Sequence, residues 1–331
     1  MFDETVLAMD YEAEANRICE VMVRVTTKEM RKRGVVVAVS GGIDSSTCVA
    51  LAARAFGPKK VFALILPERD SNPKSLELGK MVCEHLGIEP MVEDIGSILE
   101  AIGCYRRRDE AIKQVFPEYN ETYKQKIVVP SLTDGDRLTF FSIVIQGPDG
   151  VIKKARLPLS AYLQVVAATN FKQRTRKMLE YYHADRLNYA VVGTPNRLEF
   201  DQGFFVKGGD GLADLKPIAH IYKTQVYGMA RHLGLPKPIL KSIPTTDTYS
   251  LTQGQDEFYF ALPYDKMDLM LYAYSNKVSA AEVAKSTGVD EEQVGRIFRD
   301  IETKRRTTRY LHLPADLIET IPDVGNQRAM G

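Results

Sequence analysis

Two glycines, one aspartate and three serines lie together near the beginning of the chain, in the segment Ser40-Gly41-Gly42-Ile43-Asp44-Ser45-Ser46. Adjacent glycines let backbone N–H groups approach a phosphate closely, and a helix N-terminus offers it free donors and partial positive charge. Asp44 repels a phosphate unless a cation lies between them, so the segment predicts Mg²⁺ as well as phosphate. The simpler interpretation is a Gly-Gly turn that caps a helix. The ordered combination of strand, glycines, acid and paired serines favours a phosphate-binding loop, of a type without the lysine of G-x-x-x-x-G-K-[ST].

The elements around this segment predict how it is held. An unbroken apolar run at 35–39 is typical of a parallel strand that is covered on both faces. Further strands are predicted at 61–66, 89–95 and 189–192. Helices are predicted at 47–56, 76–86, 163–185 and 224–233, with two or three more within 264–306. The alternation indicates an α/β fold with a doubly wound parallel sheet flanked by helices.

The 331 residues are interpreted as one domain with five parts. Residues 10–33 form an amphipathic helix, 34–105 the first half of the sheet, and 106–160 an insertion that interrupts the alternation. Within the insertion, residues 106–130 are highly charged and irregular, and a turn rich in Gly and Pro at 147–150 predicts a β-hairpin. Residues 161–262 form the second half with its substrate loops, and 263–331 form C-terminal helices and a tail.

Composition disfavours several classes of protein. Charged residues make up 26% of the chain and the net charge is +1, so a surface built for nucleic acid is not expected. No apolar run approaches the length of a membrane helix, and the N-terminus lacks the layout of a signal peptide. The cysteines are widely spread, as is typical of reduced thiols in a cytoplasmic protein: Cys19, Cys48, Cys83 and Cys104.

The segment at 40–46 resembles the loop of the N-type ATP pyrophosphatases. That group includes NAD synthetase, GMP synthetase, asparagine synthetase, argininosuccinate synthetase and tRNA-thiolating enzymes. Later motifs distinguish among these, because their order is similar to that of the NAD synthetase family. The matching segments are residues 170–176, 192–199, 203–211, 214–218, 222–226, 241–247 and 255–257. The resemblance covers about residues 10–105 and 162–310.

The resemblance implies an adenine nucleotide alpha hydrolase-like fold and a carbon–nitrogen ligase. In that family, the carboxylate of deamido-NAD attacks the α-phosphorus of ATP, pyrophosphate leaves with Mg²⁺, and ammonia displaces AMP to give NAD. Members are homodimers whose N-terminal helices help form the interface, a role that residues 10–33 suit. Since the loop begins at Ser40, no glutamine-hydrolysing domain is expected before it. Ammonia is therefore expected to come free or from a separate glutaminase.

The resemblance also implies which residues form the site. Asp44 and Glu199 are expected to hold Mg²⁺, because two carboxylates can place a metal on the triphosphate. Catalytic roles are expected for Asp44, Lys223 and Thr246. ATP contacts are expected from Ser40, Gly41, Gly42, Ile43, Asp44, Ser45, Ser46, Leu66, Arg174, Thr194 and Lys223. Contacts to the pyridine nucleotide are expected from Lys207, Asp210, Asp214, Lys304 and Arg305.

Several of these residues also have a purely structural interpretation. Glu199, Lys207 and Lys223 are then solvated surface charges. Arg174 and the run 304–306 are then cations on a helix surface, and Thr194 and Thr246 cap strand ends.

Three features depart from the family pattern: G-T-P-N-R-L-E at 193–199, P-T-T-D-T at 244–248, and the insertion at 106–160. All three lie on the side of the acyl substrate, so adenylation chemistry is expected to be kept. The main alternative is a related enzyme that amidates a different carboxylate. Residues 279–297 also have the spacing of a helix-turn-helix, which leaves a nucleotide-sensing DNA-binding regulator as a further alternative.

Overall fold

A parallel sheet of four strands forms the centre of the computed structural model, which describes residues 2–128, 142–242, 249–251 and 262–319. The strands are β1 (Val35–Ala38), β2 (Val61–Ile65), β3 (Met91–Val92) and β7 (Ala190–Val192). They lie in the order β3-β2-β1-β7, and neighbouring strands are parallel. The predicted fold class is confirmed.

Helices surround this sheet and extend beyond it. In chain order they are α1 (Tyr11–Val23), α2 (Ile43–Phe56), α3 (Pro73–His85), α4 (Gly96–Ala101), α5 (Cys104–Lys113), α6 (Leu159–Leu187), α7 (Arg197–Gln202), α8 (Lys223–His232), α9 (Lys237–Leu240), α10 (Tyr264–Ser275), α11 (Ala280–Thr287) and α12 (Glu291–His312). A π-helical turn, Arg24–Glu29, continues α1, and short 3-10 helices lie at Glu4–Leu7 and Pro58–Lys60. Within the described ranges, none of these helices combines the length and apolar character needed to span a bilayer.

Both faces of the sheet are covered. Val35 and Val37 of β1 enter a core that includes side chains of α1, α2 and α8. Val36 faces the opposite side, where it packs near Ala184 of α6. All three valines are fully buried. This double burial explains why β1 is a continuous apolar run in the sequence instead of an alternating one.

The chain between β3 and α6 forms a second sheet, which is antiparallel. Its strands are β4 (Lys124–Val128), β5 (Ser142–Gln146) and β6 (Ile152–Arg156). β5 and β6 form the predicted hairpin. The prediction of irregular structure for residues 106–130 is wrong for α5. That helix presents Ala111 and Ile112 to a core shared with α6, while its run of arginines obscures the apolar period in the sequence.

Two differences from the predicted helices affect the site. α2 begins at Ile43 and not at residue 47, so Asp44 lies in its first turn. Glu199 lies in the short helix α7, which was not among the predicted helices. The Asn196 side chain accepts the Glu199 N–H at 3.2 Å, and the Glu199 carboxylate accepts the Asn196 N–H at 3.1 Å. This reciprocal capping starts a helix directly after Pro195.

The C-terminal helices form their own core. α10, α11 and α12 confirm the prediction of two or three helices in this region. Their core contains Leu271, Val294 and Ile297, together with Phe2 from the beginning of the chain. α12 contacts α7, and α10 contacts α8. This helical unit therefore touches the two helices that carry Glu199 and Lys223.

Candidate active site

The loop after β1 turns on Gly41, which lies against α3. Gly41 has a φ of +80°, a conformation that favours glycine. A Cβ atom there would lie 2.5 Å from the Ser75 carbonyl oxygen and 2.9 Å from the Gly79 nitrogen. Both are backbone atoms, so they cannot move aside at low cost. Conformation and space together restrict this position to glycine.

Serine hydroxyls brace the loop from within. The Ser40 N–H donates to Ser45 Oγ at 3.2 Å, and Ser45 Oγ donates to the Gly42 carbonyl at 3.1 Å. The Gly42 N–H donates to Ser40 Oγ at 3.3 Å. Gly42 is the N-cap residue of α2 and has no side chain to cap it. The first N–H groups of α2 are therefore left for an anion at the end of the helix.

Asp44 meets side chains that follow β7 in the chain. Its Oδ2 forms an ion pair with Nζ of Lys223, the first residue of α8. Its Oδ1 accepts a hydrogen bond from Asn196 Nδ2 at 3.1 Å. The same asparagine holds the Glu199 carboxylate through its N–H. Asp44, Lys223 and Glu199 therefore lie in one place, although they are far apart in the sequence.

Burial and charge determine the protonation of this group. Burial, and then the negative charge of Asp44, raise the pKa of Glu199 to about 8, while Lys223 acts in the opposite direction. Burial lowers the pKa of Lys223, but attraction to Asp44 and Glu199 outweighs burial, and the pKa of this lysine is raised. Lys223 is therefore charged at neutral pH and pairs with Asp44, while the Glu199 carboxyl retains its proton.

The group fits a divalent cation. With both acids ionised, two buried negative charges would face one lysine, and burial, followed by the charge of Asp44, raises the pKa of Glu199 against that state. Mg²⁺ prefers oxygen ligands and usually takes one or two carboxylates together with substrate phosphates. In the part of the chain that the structure describes, no cluster of three or more His, Cys, Asp or Glu side chains could hold a metal. Because Mg²⁺ can take two protein carboxylates together with phosphate oxygens, Asp44 and Glu199 fit a cation that a nucleotide also binds.

A second polar group surrounds Lys207, in the loop between α7 and α8. Lys207 Nζ donates to the carbonyl oxygens of Tyr310 and Leu313 at 2.9 Å and 3.3 Å, at the end of α12. Arg174 of α6 donates from Nε to the Lys207 carbonyl at 3.2 Å. The loop is therefore tied to α6 on one side and to α12 on the other.

Two carboxylates support the same loop. Asp210 accepts the Val206 N–H at 2.8 Å, and burial raises the pKa of Asp210. Asp214 accepts the Val191 N–H of β7 at 2.7 Å and the Tyr181 hydroxyl at 3.3 Å. Asp210 closes the loop on itself, and Asp214 attaches it to the sheet.

The basic run on α12 faces α7. Arg305 makes two hydrogen bonds to Asp201 of α7, at 2.6 Å and 2.8 Å. Lys304 lies 2.7 Å from Asp300, and burial lowers the pKa of Lys304. Arg306 is exposed. The first two cations of the run are therefore paired with carboxylates.

A model of the NAD synthase family matches residues 14–126 and 140–309. The chain belongs to the NAD synthase family. The matched ranges contain the phosphate loop, Glu199, Lys223 and most of α12.

Individual NAD synthases and related proteins resemble the chain over almost its full length. The chain is 54% identical to the NH(3)-dependent NAD(+) synthetase of Rhizobium meliloti, across 98% of this chain and 97% of that protein. The structure of NMN synthetase from Francisella tularensis has a TM-score of 0.64 at 19% identity and covers 94% of this chain and 99% of its own. The structure of the NH3-dependent NAD synthetase from Campylobacter jejuni has a TM-score of 0.61 at 22% identity, and the match covers 94% of this chain and 100% of that one. The two structures share the fold.

The NAD synthase fold brings most of the predicted phosphate-side residues to one edge of the sheet, whereas Arg174 lies on α6 beside Lys207. The loop at 40–46 follows β1, while Thr194 and Glu199 follow β7. Carboxyl ends of parallel strands are where such sheets bind ligands. Leu66 follows β2 at the same edge, and its carbonyl oxygen accepts a hydrogen bond from Arg176 Nε at 3.2 Å. Thr246 lies outside the described residues.

Five polar side chains form a buried network after β2, which was not predicted from the sequence. Lys172 of α6 lies 2.9 Å from Glu68 and 2.7 Å from Asp70. Arg108 of α5 lies 2.5 Å from Asp70, and the Tyr105 hydroxyl donates to Glu68 at 2.8 Å. The signal for this network in the sequence is the position of two acids, Glu68 and Asp70, just after a strand. The partners come from α5 and α6, and only the tertiary structure brings them there.

Asn196 is a further site residue that the sequence analysis did not single out. It joins Asp44 to Glu199 by donating a side-chain hydrogen bond to the first and a backbone hydrogen bond to the second. Its signal was local, since an asparagine three residues before a glutamate is the pattern of a capping box.

Proposed function

We propose that this protein is an ATP-dependent carbon–nitrogen ligase that amidates deamido-NAD with ammonia, giving NAD, AMP and pyrophosphate. The observation that carries the proposal is the meeting of Asp44, Lys223 and Glu199 beside the phosphate loop, in a chain that matches the NAD synthase family. Relatives between 31% and 54% identity share the name NH(3)-dependent NAD(+) synthetase, which supports one common reaction.

The reaction has two steps. An oxygen of the deamido-NAD carboxylate attacks the α-phosphorus of ATP, the bond from that phosphorus to the bridging oxygen breaks, and pyrophosphate leaves. Ammonia then attacks the acyl carbon and loses a proton to solvent, and AMP leaves with the carboxylate oxygen. Neither step needs a covalent nucleophile from the protein, so positioning and charge neutralisation lower the barrier.

The phosphate side is assigned as follows. The loop and the first N–H groups of α2 bind the triphosphate, and Lys223 neutralises the charge that develops as pyrophosphate leaves. Asp44 and Glu199 hold Mg²⁺, which neutralises phosphate charge when bound. Further contacts to ATP come from Leu66, Arg174 and Thr194, and Thr246 lies near the reacting phosphate. The shared edge of the sheet supports this assignment for the loop at 40–46, Leu66, Thr194 and Glu199.

The acyl-substrate side is assigned to the loop between α7 and α8 and to α12. Deamido-NAD carries a pyrophosphate bridge and a carboxylate, so its site needs cations. The residues assigned to it are Lys207, Asp210, Asp214, Lys304 and Arg305. Lys207 already connects the loop to the end of α12, which supports a site between these two elements.

Two other functions are less well supported. A different carboxylate is not favoured, because relatives over nearly the full length are named for NAD. The helix-turn-helix spacing corresponds to α11 and α12, and a DNA reader presents the start of its second helix to DNA. Here the first turn of α12 carries Glu291 and Glu292, which repel phosphates. A DNA-binding regulator is therefore not favoured.

The proposal also covers the nitrogen donor, the cellular compartment and the oligomeric state of the enzyme. Ammonia is the nitrogen donor, as the names of the relatives support. It comes either free or from a separate glutaminase. Because ATP is a substrate, the cytoplasm is the expected compartment. The enzyme acts as a homodimer with residues 10–33 near the interface. α6 also exposes large apolar side chains that a second copy would cover: Leu159, Leu163, Met178 and Tyr182.

The decisive experiment combines the protein with Mg-ATP, ammonium and deamido-NAD, and measures pyrophosphate and NAD together. Equal amounts of both products are expected, and omission of deamido-NAD should abolish both. A parallel reaction replaces deamido-NAD with another nicotinate nucleotide. Turnover of that compound without turnover of deamido-NAD would overturn the proposed substrate.

A further inference from the structure

Asp268 is a buried carboxylate on α10, in the C-terminal helical unit. Its side chain has no solvent exposure. Burial raises the pKa of Asp268 to about 6, although the hydrogen bonds that it accepts act in the opposite direction. A carboxylate is seldom buried in this way unless hydrogen-bond donors or a positive charge lie beside it.

The partners of Asp268 are the first two residues of α8. Its Oδ1 accepts the Lys223 N–H at 3.3 Å. Its Oδ2 accepts the Thr224 N–H and the Thr224 hydroxyl, each at 2.7 Å. N–H groups in the first turn of a helix have no acceptor within their own helix. Asp268 of α10 therefore caps the first turn of α8, which begins with Lys223.

The same helix also reaches the other end of that lysine. Tyr264 lies one turn before Asp268 on α10, and the centre of its ring is 5.3 Å from Lys223 Nζ. Lys223 is fully buried and extends to Asp44. α10 thus contacts Lys223 at its backbone and at its ammonium group.

We propose that Asp268 is a positioning residue for the ligase reaction. It holds the start of α8 so that the Lys223 ammonium stays at Asp44, where the triphosphate binds. The position of a long lysine side chain depends on the position of its backbone. A small displacement of its charge from the reacting phosphate greatly lowers the rate. This inference rests on the role proposed for Lys223. It makes α10 a part of the catalytic machinery.

The first test is Asp268→Asn. Asparagine has nearly the same shape but turns an amide N–H₂ towards one of the two backbone donors, so one anchoring bond is lost. We expect kcat for pyrophosphate release to fall about ten- to a hundredfold, with the KM for ATP within about twofold of wild type. Asp290→Asn is the matched control. Asp290 caps α12 by accepting the Glu292 and Gln293 N–H groups at 2.9 Å and 3.3 Å, away from Lys223.

A double-mutant cycle separates positioning from folding. If Asp268 acts through Lys223, then Asp268→Asn should cause no further loss of kcat in a Lys223→Met background. An unchanged kcat in the single variant, or an equal loss in both backgrounds, would overturn the inference. A Lys223→Met enzyme with wild-type kcat would instead overturn the proposed role of Lys223. Should Asp268→Asn fail to fold, Thr224→Val replaces it in the cycle, since it removes one hydrogen bond to Asp268 and leaves the carboxylate.

Discussion

At the scale of residues, the site consists of two acids that share one lysine. Asp44 holds the Lys223 ammonium directly, and Glu199 lies close enough for the charge of Asp44 to raise its pKa. Asn196 fixes the distance between the acids by bonding to both. The arrangement places two acids where a cation and a triphosphate are expected, and this leads to three predictions.

Replacement of Asp44 by asparagine should abolish most of the activity and leave the fold intact. Asparagine keeps an acceptor for Asn196 but removes the charge that holds Lys223 and that is proposed to hold Mg²⁺. Pyrophosphate release should fall at least about a hundredfold. A continuous pyrophosphate assay measures the loss, and circular dichroism checks the fold. Asp149→Asn, in the exposed hairpin turn, is the control. Full activity of Asp44→Asn would refute the assignment of the metal site.

Cation binding should depend on pH through Glu199. Because the pKa of Glu199 is raised from 4.5 to about 8, the carboxyl is protonated at neutral pH, and a cation must displace that proton. Affinity for Mn²⁺ with a non-hydrolysable ATP analogue should therefore rise up to about tenfold per pH unit from pH 6 to pH 8, and then level off. Calorimetry in buffers of different ionisation enthalpy counts the released proton. Glu199→Gln should remove the pH dependence, whereas exposed Glu121→Gln should preserve it.

Glu199 also affects the stability of the protein, and here its favourable contribution falls as pH rises. A folded-state pKa above the ordinary value means that the folded protein binds the proton more tightly than the unfolded chain. The contribution of Glu199 to the free energy of unfolding is therefore fully present below about pH 4.5 and is lost as pH rises through about 8. A bound cation should offset this loss at high pH, which thermal unfolding with and without Mg²⁺ will show.

At the scale of elements, the phosphate loop depends on its contact with α3. Gly41 lies against the backbone of Ser75 and Gly79. Gly79 lies in α3, and a Cβ atom there would be 3.3 Å from the Val39 carbonyl oxygen. Small residues on both sides let the loop and the helix approach closely. A second contact between elements, the network of Lys172, joins α6 to the chain after β2.

Gly41→Ala should destabilise the protein and weaken ATP binding. The added methyl group meets a left-handed conformation and two backbone atoms, so we expect a loss of about 3 kcal/mol in the free energy of unfolding. Gly87→Ala is the matched control, because Gly87 has a φ of +68° but no atom within 4 Å of its Cβ position. That control should lose about 1 kcal/mol from conformation alone. Urea unfolding measures the free energy of unfolding of both variants. Equal losses would contradict the packing argument.

Lys172→Met should destabilise the fold more than any surface ion pair could. It leaves Glu68 and Asp70 buried without their lysine, which typically costs about 3–5 kcal/mol. Lys153→Met is the control, since Lys153 pairs with Glu118 on the surface, with half of its side chain exposed. That change should leave the free energy of unfolding nearly unchanged. Similar urea midpoints for the two variants would show that the network contributes little.

At the scale of the whole molecule, the central sheet and the C-terminal helices each contribute to the site. The central sheet carries the predicted phosphate-binding loop at 40–46. The C-terminal helices contact Lys207, Asp201 and Lys223. A second copy of the chain is expected to complete the assembly.

The proposed homodimer predicts which surface changes dissociate it. Met178 of α6 is 56% exposed and lies on a helix with other exposed apolar side chains, whereas Val21 of α1 is 36% exposed among charged neighbours. Interface centres exclude charge, so Met178→Asp should shift the protein to monomers in sedimentation velocity, and Val21→Asp, in the N-terminal helix near the proposed interface, should do so to a smaller extent. Dissociation by Val21→Asp alone would confine the interface to the N-terminal helix and exclude α6 from it. A monomeric wild-type protein would contradict the homodimer itself.

Much of the fold was predictable because its signals are local. The buried strand β1, the hairpin and the C-terminal helices follow from short patterns of apolar residues and turns. The errors were local as well. The start of α2 was misjudged because glycine gives a weak capping signal, and α5 was missed because arginines obscure its apolar face.

The sequence by itself determined the phosphate loop and its acid, because Gly41, Gly42 and Asp44 act through backbone geometry and charge within a few residues. Only the tertiary structure decided that Asn196 bridges the two acids, that Asp268 caps α8, and that Arg108 reaches Asp70. These contacts join side chains from distant parts of the chain. Their partners depend on how helices pack around the sheet, and no short pattern of residues specifies that packing.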